Sequence, residues 1–293
     1  DLKYADRDAQ LFYNYLINSE SQNIDPEHIT LLLNEDATDV NIRAALQELK
    51  QETGLMDISI IYFSGHGDVI DTTGGEAGYF LTHYASDQRE YPAGGAIAFS
   101  ELEGVVDTIA YNGGETILIT DACRSGKVID ERGADLTLTA LSLKFQNSVK
   151  IVSSKPTERS YEYKELEQGV FTYFLIKGMA GMADTKPYDK VLTMDEINDY
   201  LRENVKSYTR KNRQTQTPKV FSFDDDKMLA RTDSSLLAKV ATAEQLLKSL
   251  YSEVNAGIFS LSLEQEIAAL PSVQVAQIDD FNRQLKKGHL INS

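Results

Sequence analysis

Apolar residues recur along this chain with two periods, and the alternation between them sets its layout. Residues 4–19 carry Ala5, Ala9, Phe12 and Leu16 at the spacing of one helix face. HITLLL (28–33) is an apolar run of strand length, Asn34 to Asp36 read as a turn, and ATDVNIRAALQELK (37–50) returns to a helical period. DISIIYFSGHG (57–67) predicts a second strand, SELEGVVDTIA (100–110) a helix, and ETILITD (115–121) a third strand. VKIVSS (149–154) predicts a fourth strand and GVFTYFLIKGMAG (169–181) a helix. TMDEINDYLRENVKSY (193–208) is a helix whose start, Thr193 followed three residues later by Glu196, has the capping-box pattern. KVFSF (219–223) is placed to close the sheet. Strands of continuous apolar residues separated by helices predict an α/β fold with a mostly parallel sheet covered on both faces.

The pattern changes after the acidic triplet Asp224 to Asp226. From Ser235 onward Leu236, Val240, Ala243, Leu247, Leu250 and Val254 form one helical stripe. Two units follow: a domain over 1–224 and a helical extension over 225–293, suited to regulation or to binding a partner protein. The segments 255–264 and 286–293 share a helix–glycine–apolar pattern, but two weak copies establish no repeat. The 293 residues carry a net charge of −16, which repels nucleic acid and favours basic substrates. No apolar run of about 18 residues and no signal-peptide pattern is present, so the expectation is a cytoplasmic protein that does not span a membrane. A single cysteine leaves no internal disulfide and no thiolate-rich metal site.

That cysteine, Cys123, follows the apolar run ILIT and then Asp121 and Ala122. Open parallel sheets bind ligands at the carboxyl ends of their strands. Two strands end there in reactive groups, His66 in SGHG and Cys123 in DACRSG. An imidazole beside a thiol takes or shares its proton and makes it a nucleophile. The backbone N–H groups of Gly67 and Cys123 are candidate oxyanion donors. Taken singly, each residue has a plain alternative. A lone cysteine after an apolar strand is most often a buried small hydrophobe, and His83 is a rival base. The conjunction is more specific, because His66 and Cys123 stand 57 residues apart, close to the ~50 of caspase-type signatures.

YFSGHG and TDACRSG resemble the motifs of caspase-like cysteine peptidases, and within them those of metacaspases and bacterial orthocaspases. YADRDAQLF, DATDVNIRAAL and GVFTYFLIKG extend the resemblance over residues 1 to 223. It implies the caspase–haemoglobinase fold, a three-layer α/β/α sandwich, and a Cys123–His66 dyad. It also implies a pocket for the residue before the cut, built from Asp121, from Asp8 of the R-D-A segment and from Ser64. Ser160 and Glu162 fall at its edge. Two carboxylates accept arginine or lysine, where animal caspases carry glutamine in place of Asp121. RSGKVIDERGADLTLTALSLKFQNS (124–148) then offers Lys127, Arg132 and Lys144 as self-cleavage sites. The chain departs from the family in lacking its first strand ahead of Tyr4. The calcium-binding acids of many metacaspases have one counterpart, Asp130, so the expectation is no essential metal or other cofactor. From another class, a catalytically silent caspase-like scaffold acting through its helical tail is the alternative.

Overall fold

The computed structural model describes residues 2–19, 22–72, 75–86, 90–124, 147–155, 158–185 and 188–232. Helix α1 (Ala5–Asn18) and helix α2 (Asp39–Glu52) precede the long strand β1 (Ile58–Thr72), which turns back into β2 (Gly75–Leu81). Next come β3 (Ala96–Ala98), α3 (Phe99–Tyr111), β4 (Glu115–Arg124) and β5 (Ser148–Val152). A two-residue ribbon, β6 (Glu162–Tyr163) with β7 (Gln168–Gly169), leads into α4 (Val170–Lys177). Strand β8 (Val191–Thr193), α5 (Met194–Lys211), β9 (Lys219–Phe221) and β10 (Met228–Arg231) complete the order.

The main sheet runs β3-β2-β1-β4-β5-β9. Its centre, β1–β4–β5, is parallel, and the hairpin partner β2 and the edge strand β9 are antiparallel. Side chains alternate across a strand, and β4 shows the consequence. Ile117 and Ile119 belong to the core formed with Phe12 and Tyr15 of α1, Phe171 and Leu175 of α4, and Ile197 and Leu201 of α5. Leu118, between them, belongs to the opposite core with Leu46 of α2 and Leu102, Val106 and Ile109 of α3. The molecule is therefore a three-layer α/β/α sandwich with a mixed, centrally parallel sheet. Each fully buried Leu, Ile or Phe contributes roughly 1.5–3 kcal/mol through transfer from water.

The structure differs from the sequence pattern in four places. HITLLL forms no strand: Pro26–His28 is a short 3-10 turn and residues 29–33 run unpaired. A strand is held by its ladder, and no described strand pairs with this run; the edge of β1 from Ile58 to Gly65 that faces away from β4 is likewise unpaired among the described residues. The strand expected to end at Gly67 runs on to Thr72, and its segment from His66 to Thr72 pairs antiparallel with β2, so His66 lies within β1 and not at its end. The buried face of α1 runs through Asp8, Leu11, Phe12, Tyr15 and Leu16, leaving Ala5 and Ala9 at its margin, because an acid occupies a core position there. The pairing of β10 with β8 carries the folded unit past residue 224, where composition set its boundary. Residues 233–293, most of the expected helical extension, lie outside the described residues.

Candidate functional site

The parallel register of β1 and β4 sets Ser64 opposite Asp121 and His66 opposite Cys123. Ile60 and Tyr62, which precede Ser64 at the strand period of two, lie in the core beneath α1 and α4. That alternation turns Ser64 and Asp121 toward the same helices. Asp8 comes from the first turn of α1 and its Oδ2 accepts a 3.2 Å hydrogen bond from Ser64 Oγ. Its Oδ1 accepts from the backbone N–H of Gly169 at 2.9 Å. Asp121 receives Ser160 Oγ on Oδ1 at 2.5 Å and Thr172 Oγ1 on Oδ2 at 3.1 Å.

Asp8 is 2 % exposed and Asp121 6 %, and no cation pairs with either among the described residues. Both carboxylates crowd one glycine. A Cβ on Gly169 would stand 2.6 Å from Asp8 Oδ2 and 2.8 Å from Asp121 Oδ2. Burial, then the neighbouring charge of Asp121, pushes Asp8 well above the usual carboxylate range, against the pull of Gly169 N–H and Ser64. Burial also raises Asp121, while hydrogen bonds from Ser160, Thr172 and Ser153 hold it back. A buried acid pair of this kind is fully ionised only at a cost, which a bound cation or a shared proton offsets.

His66 is half-buried, and burial lowers its pKa while the charge of Glu162 works the other way. A neutral imidazole at neutral pH is in the form that accepts a proton. Its Nδ1 is buried and meets no hydrogen-bond partner among the described residues. Gly67 stands in register with Phe80 on one side and Arg124 on the other. Glu162 Oε2 and Oε1 accept from the N–H groups of Lys3 and Tyr4, which ties β6 to the entrance of α1, a helix whose N-cap lacks a side-chain bond. His83 is exposed past β2, its ring edge-on to Tyr84.

The profile of the Caspase domain family matches residues 1–229. The chain belongs to the caspase family. A caspase domain is a cysteine peptidase domain, a hydrolase acting on polypeptides, and its three layers are those described above. A crystal structure of a protein from Geobacter sulfurreducens is similar at 16 % identity and a TM-score of 0.45, over 66 % of this chain and 75 % of that one. No curated protein matches the chain.

The caspase domain also contains polar groups that the motifs do not announce. Gln216 is fully buried and makes three hydrogen bonds. Its Nε2 donates to Ser153 O and Ser160 Oγ, and its Oε1 accepts from Tyr161 N–H. Tyr62 Oη lies 2.6 Å from Thr172 Oγ1. Burial, then the charges of Asp8 and Asp121, keeps the Tyr62 hydroxyl protonated well above the ordinary tyrosine range. The available signals were a glutamine in the polar stretch before KVF and the glycine that opens GVFTYF. Lys127, Asp130, Arg132 and Lys144 lie outside the described residues. Among the described residues no group of three or more His, Cys, Asp or Glu could hold a metal ion, and no helix is long and apolar enough to cross a membrane.

Proposed function

We propose that this caspase domain is an endopeptidase of the metacaspase–orthocaspase type that cleaves after arginine or lysine. The observation that carries this is the pair of buried carboxylates, Asp8 and Asp121, with no described counter-cation, beside the end of the parallel β1–β4 ladder that holds His66 and Cys123. A guanidinium or ammonium supplies the missing charge, and a guanidinium bridges two carboxylates with paired hydrogen bonds. Ser64 joins the two acids in lining this pocket, with Ser160 and Glu162 at its edge.

The thiol of Cys123 gives its proton to His66, and its sulfur attacks the carbonyl carbon of the basic residue. The oxygen of the tetrahedral intermediate takes the charge and is held by the N–H groups of Gly67 and Cys123. The C–N bond breaks as His66 protonates the leaving amine. Water, deprotonated by His66, then attacks the thioester, releasing the acid and restoring the thiol. The stretch 125–146 offers Lys127, Arg132 and Lys144 to the same site, with Arg132 as the expected self-cleavage position. The chain beyond the peptidase domain acts in regulation or partner binding.

A fluorogenic peptide panel with Arg, Lys, Asn or Asp before the cut tests the specificity. Arginine is expected to exceed lysine, with no turnover after Asp, and efficient cleavage after Asp would overturn the assignment. Cys123→Ala and His66→Ala should each abolish turnover and self-cleavage, because nucleophile and base act as a unit. Mass spectrometry of the active chain against Cys123→Ala reads the cut.

A further inference from the structure

Hydrogen-bond directions around the acid pair can be traced to their sources. Both N–H groups of Gln216 Nε2 are committed, one to Ser153 O and one to Ser160 Oγ. Ser160 Oγ therefore accepts from Gln216; it lies 2.7 Å from Ser153 Oγ and 2.5 Å from Asp121 Oδ1, and its single proton goes to the carboxylate, the stronger acceptor at the shorter distance. On the other oxygen, Thr172 donates to Asp121 Oδ2, so the short Tyr62–Thr172 contact runs with Tyr62 as donor. Two relays, one anchored on Gln216 and one on Tyr62, thus present hydroxyl protons to Asp121. Ser153 contributes a further hydrogen bond. Asp8 has one N–H and one hydroxyl.

Two carboxylates whose oxygens both lie within 3 Å of one point cannot both ionise when buried without a cation. The donor-rich member keeps the charge. Resting on the basic-residue pocket proposed above, we infer that in the ligand-free protein Asp8 and Asp121 share one proton, carried on Asp8, and that entry of the substrate's basic side chain expels it to solvent. The balance is simple: the protonated pair and the cation become the doubly ionised pair with the cation bound, plus one proton. The other titratable groups facing the pair are Tyr62 on β1, which stays neutral, and Glu162 on β6, whose charge opposes full ionisation. His66 lies two residues beyond Ser64 on the same strand. The direction of the Asp8 shift agrees with this assignment.

The experiment is calorimetric titration of the full chain carrying Cys123→Ala with an acetylated peptide amide ending in arginine. It is run in buffers of different ionisation enthalpy from pH 5 to 9, beside the same peptide ending in citrulline, the neutral isostere. The arginine peptide should release about one proton below the pair's titration, with affinity rising about tenfold per pH unit there. The citrulline peptide should bind weakly with no such dependence. Adding Asp8→Asn should abolish proton release while His66, still present, keeps its own titration. Arginine preferred over citrulline without proton release, or release unchanged by Asp8→Asn, overturns the proton coupling alone. Equal affinity for the two peptides overturns the basic-residue pocket itself. The arginine and citrulline arms decide the matter even if Asp8→Asn does not fold.

Discussion

Gly169 lies where the two acids meet, and its backbone is ordinary: φ −66° and ψ 136° are open to any residue. Alanine there brings no backbone strain, so its effect comes from contact alone. The added methyl stands 2.6 and 2.8 Å from two carboxylate oxygens that are themselves buried and hydrogen-bonded. Overpacking of this kind costs about 1–3 kcal/mol. Relief requires Asp8 or Asp121 to leave its donors, which displaces the charge proposed to receive the substrate's basic side chain. Gly169→Ala should therefore raise KM for an arginine peptide on the order of tenfold, with a smaller effect on kcat, since lost binding shared by ground and transition states appears in KM. Steady-state kinetics on the folded variant checks it. An unchanged KM would show that the acids do not contact the bound side chain.

Among the elements, α5 is the one whose start was most legible. Thr193 accepts from Glu196 N–H, and Glu196 Oε2 accepts in return from the N–H and hydroxyl of Thr193. Glu196 Oε1 further takes the N–H and hydroxyl of Thr185, tying the turn after α4 to the helix. Thr193→Ala should cost about 1 kcal/mol, read as a lower denaturation midpoint with unchanged slope. Burial pushes Glu196 upward, but those hydrogen bonds outweigh it and hold the carboxyl below its ordinary value. A carboxylate whose pKa falls on folding stabilises the fold above its unfolded pKa and loses that contribution as pH drops through the folded one. The cost of Thr193→Ala should thus shrink on acidification. Other elements were less legible. β2, β3, β6, β7, β8 and β10 are short or glycine-rich, and their identity depends on a partner strand rather than on a period of their own. HITLLL shows the converse, a strand-like pattern that finds no ladder.

At the scale of the whole molecule, the acid pair opposes stability. Asp8 and Asp121 both sit higher in the fold than in the open chain. Groups raised in this way favour the folded state fully below their unfolded pKa, and the benefit is lost as pH rises through the folded value. The domain should therefore lose stability from mildly acidic toward alkaline pH through this pair. Asp8→Asn removes one of the two charges and retains an oxygen for Gly169 N–H. Thermal melts should show Asp8→Asn gaining on the parent as pH rises, while losing turnover on arginine peptides. Parallel melting curves at all pH values would show that the pair carries no folding cost. A net charge of −16 adds a diffuse repulsion in the same direction.

The periods of the long helices and buried strands, and hence the layered α/β class, are written in the order of residues alone. Two motifs, SGHG and DACRSG, were enough to identify the caspase family, because reactive residues that follow apolar runs are a local signal. Local patterns do not specify register, and only the tertiary structure set His66 opposite Cys123 and Ser64 opposite Asp121. Asp8, read from a motif as a pocket acid, stands on the buried face of α1 against Gly169, 161 residues away. Gln216 carried no motif, and Thr172 stood unremarked within GVFTYFLIKG. Their roles come from hydrogen bonds that close across elements distant in the chain, and the cost of an unpaired buried polar group makes such bonds obligatory only once the fold has formed.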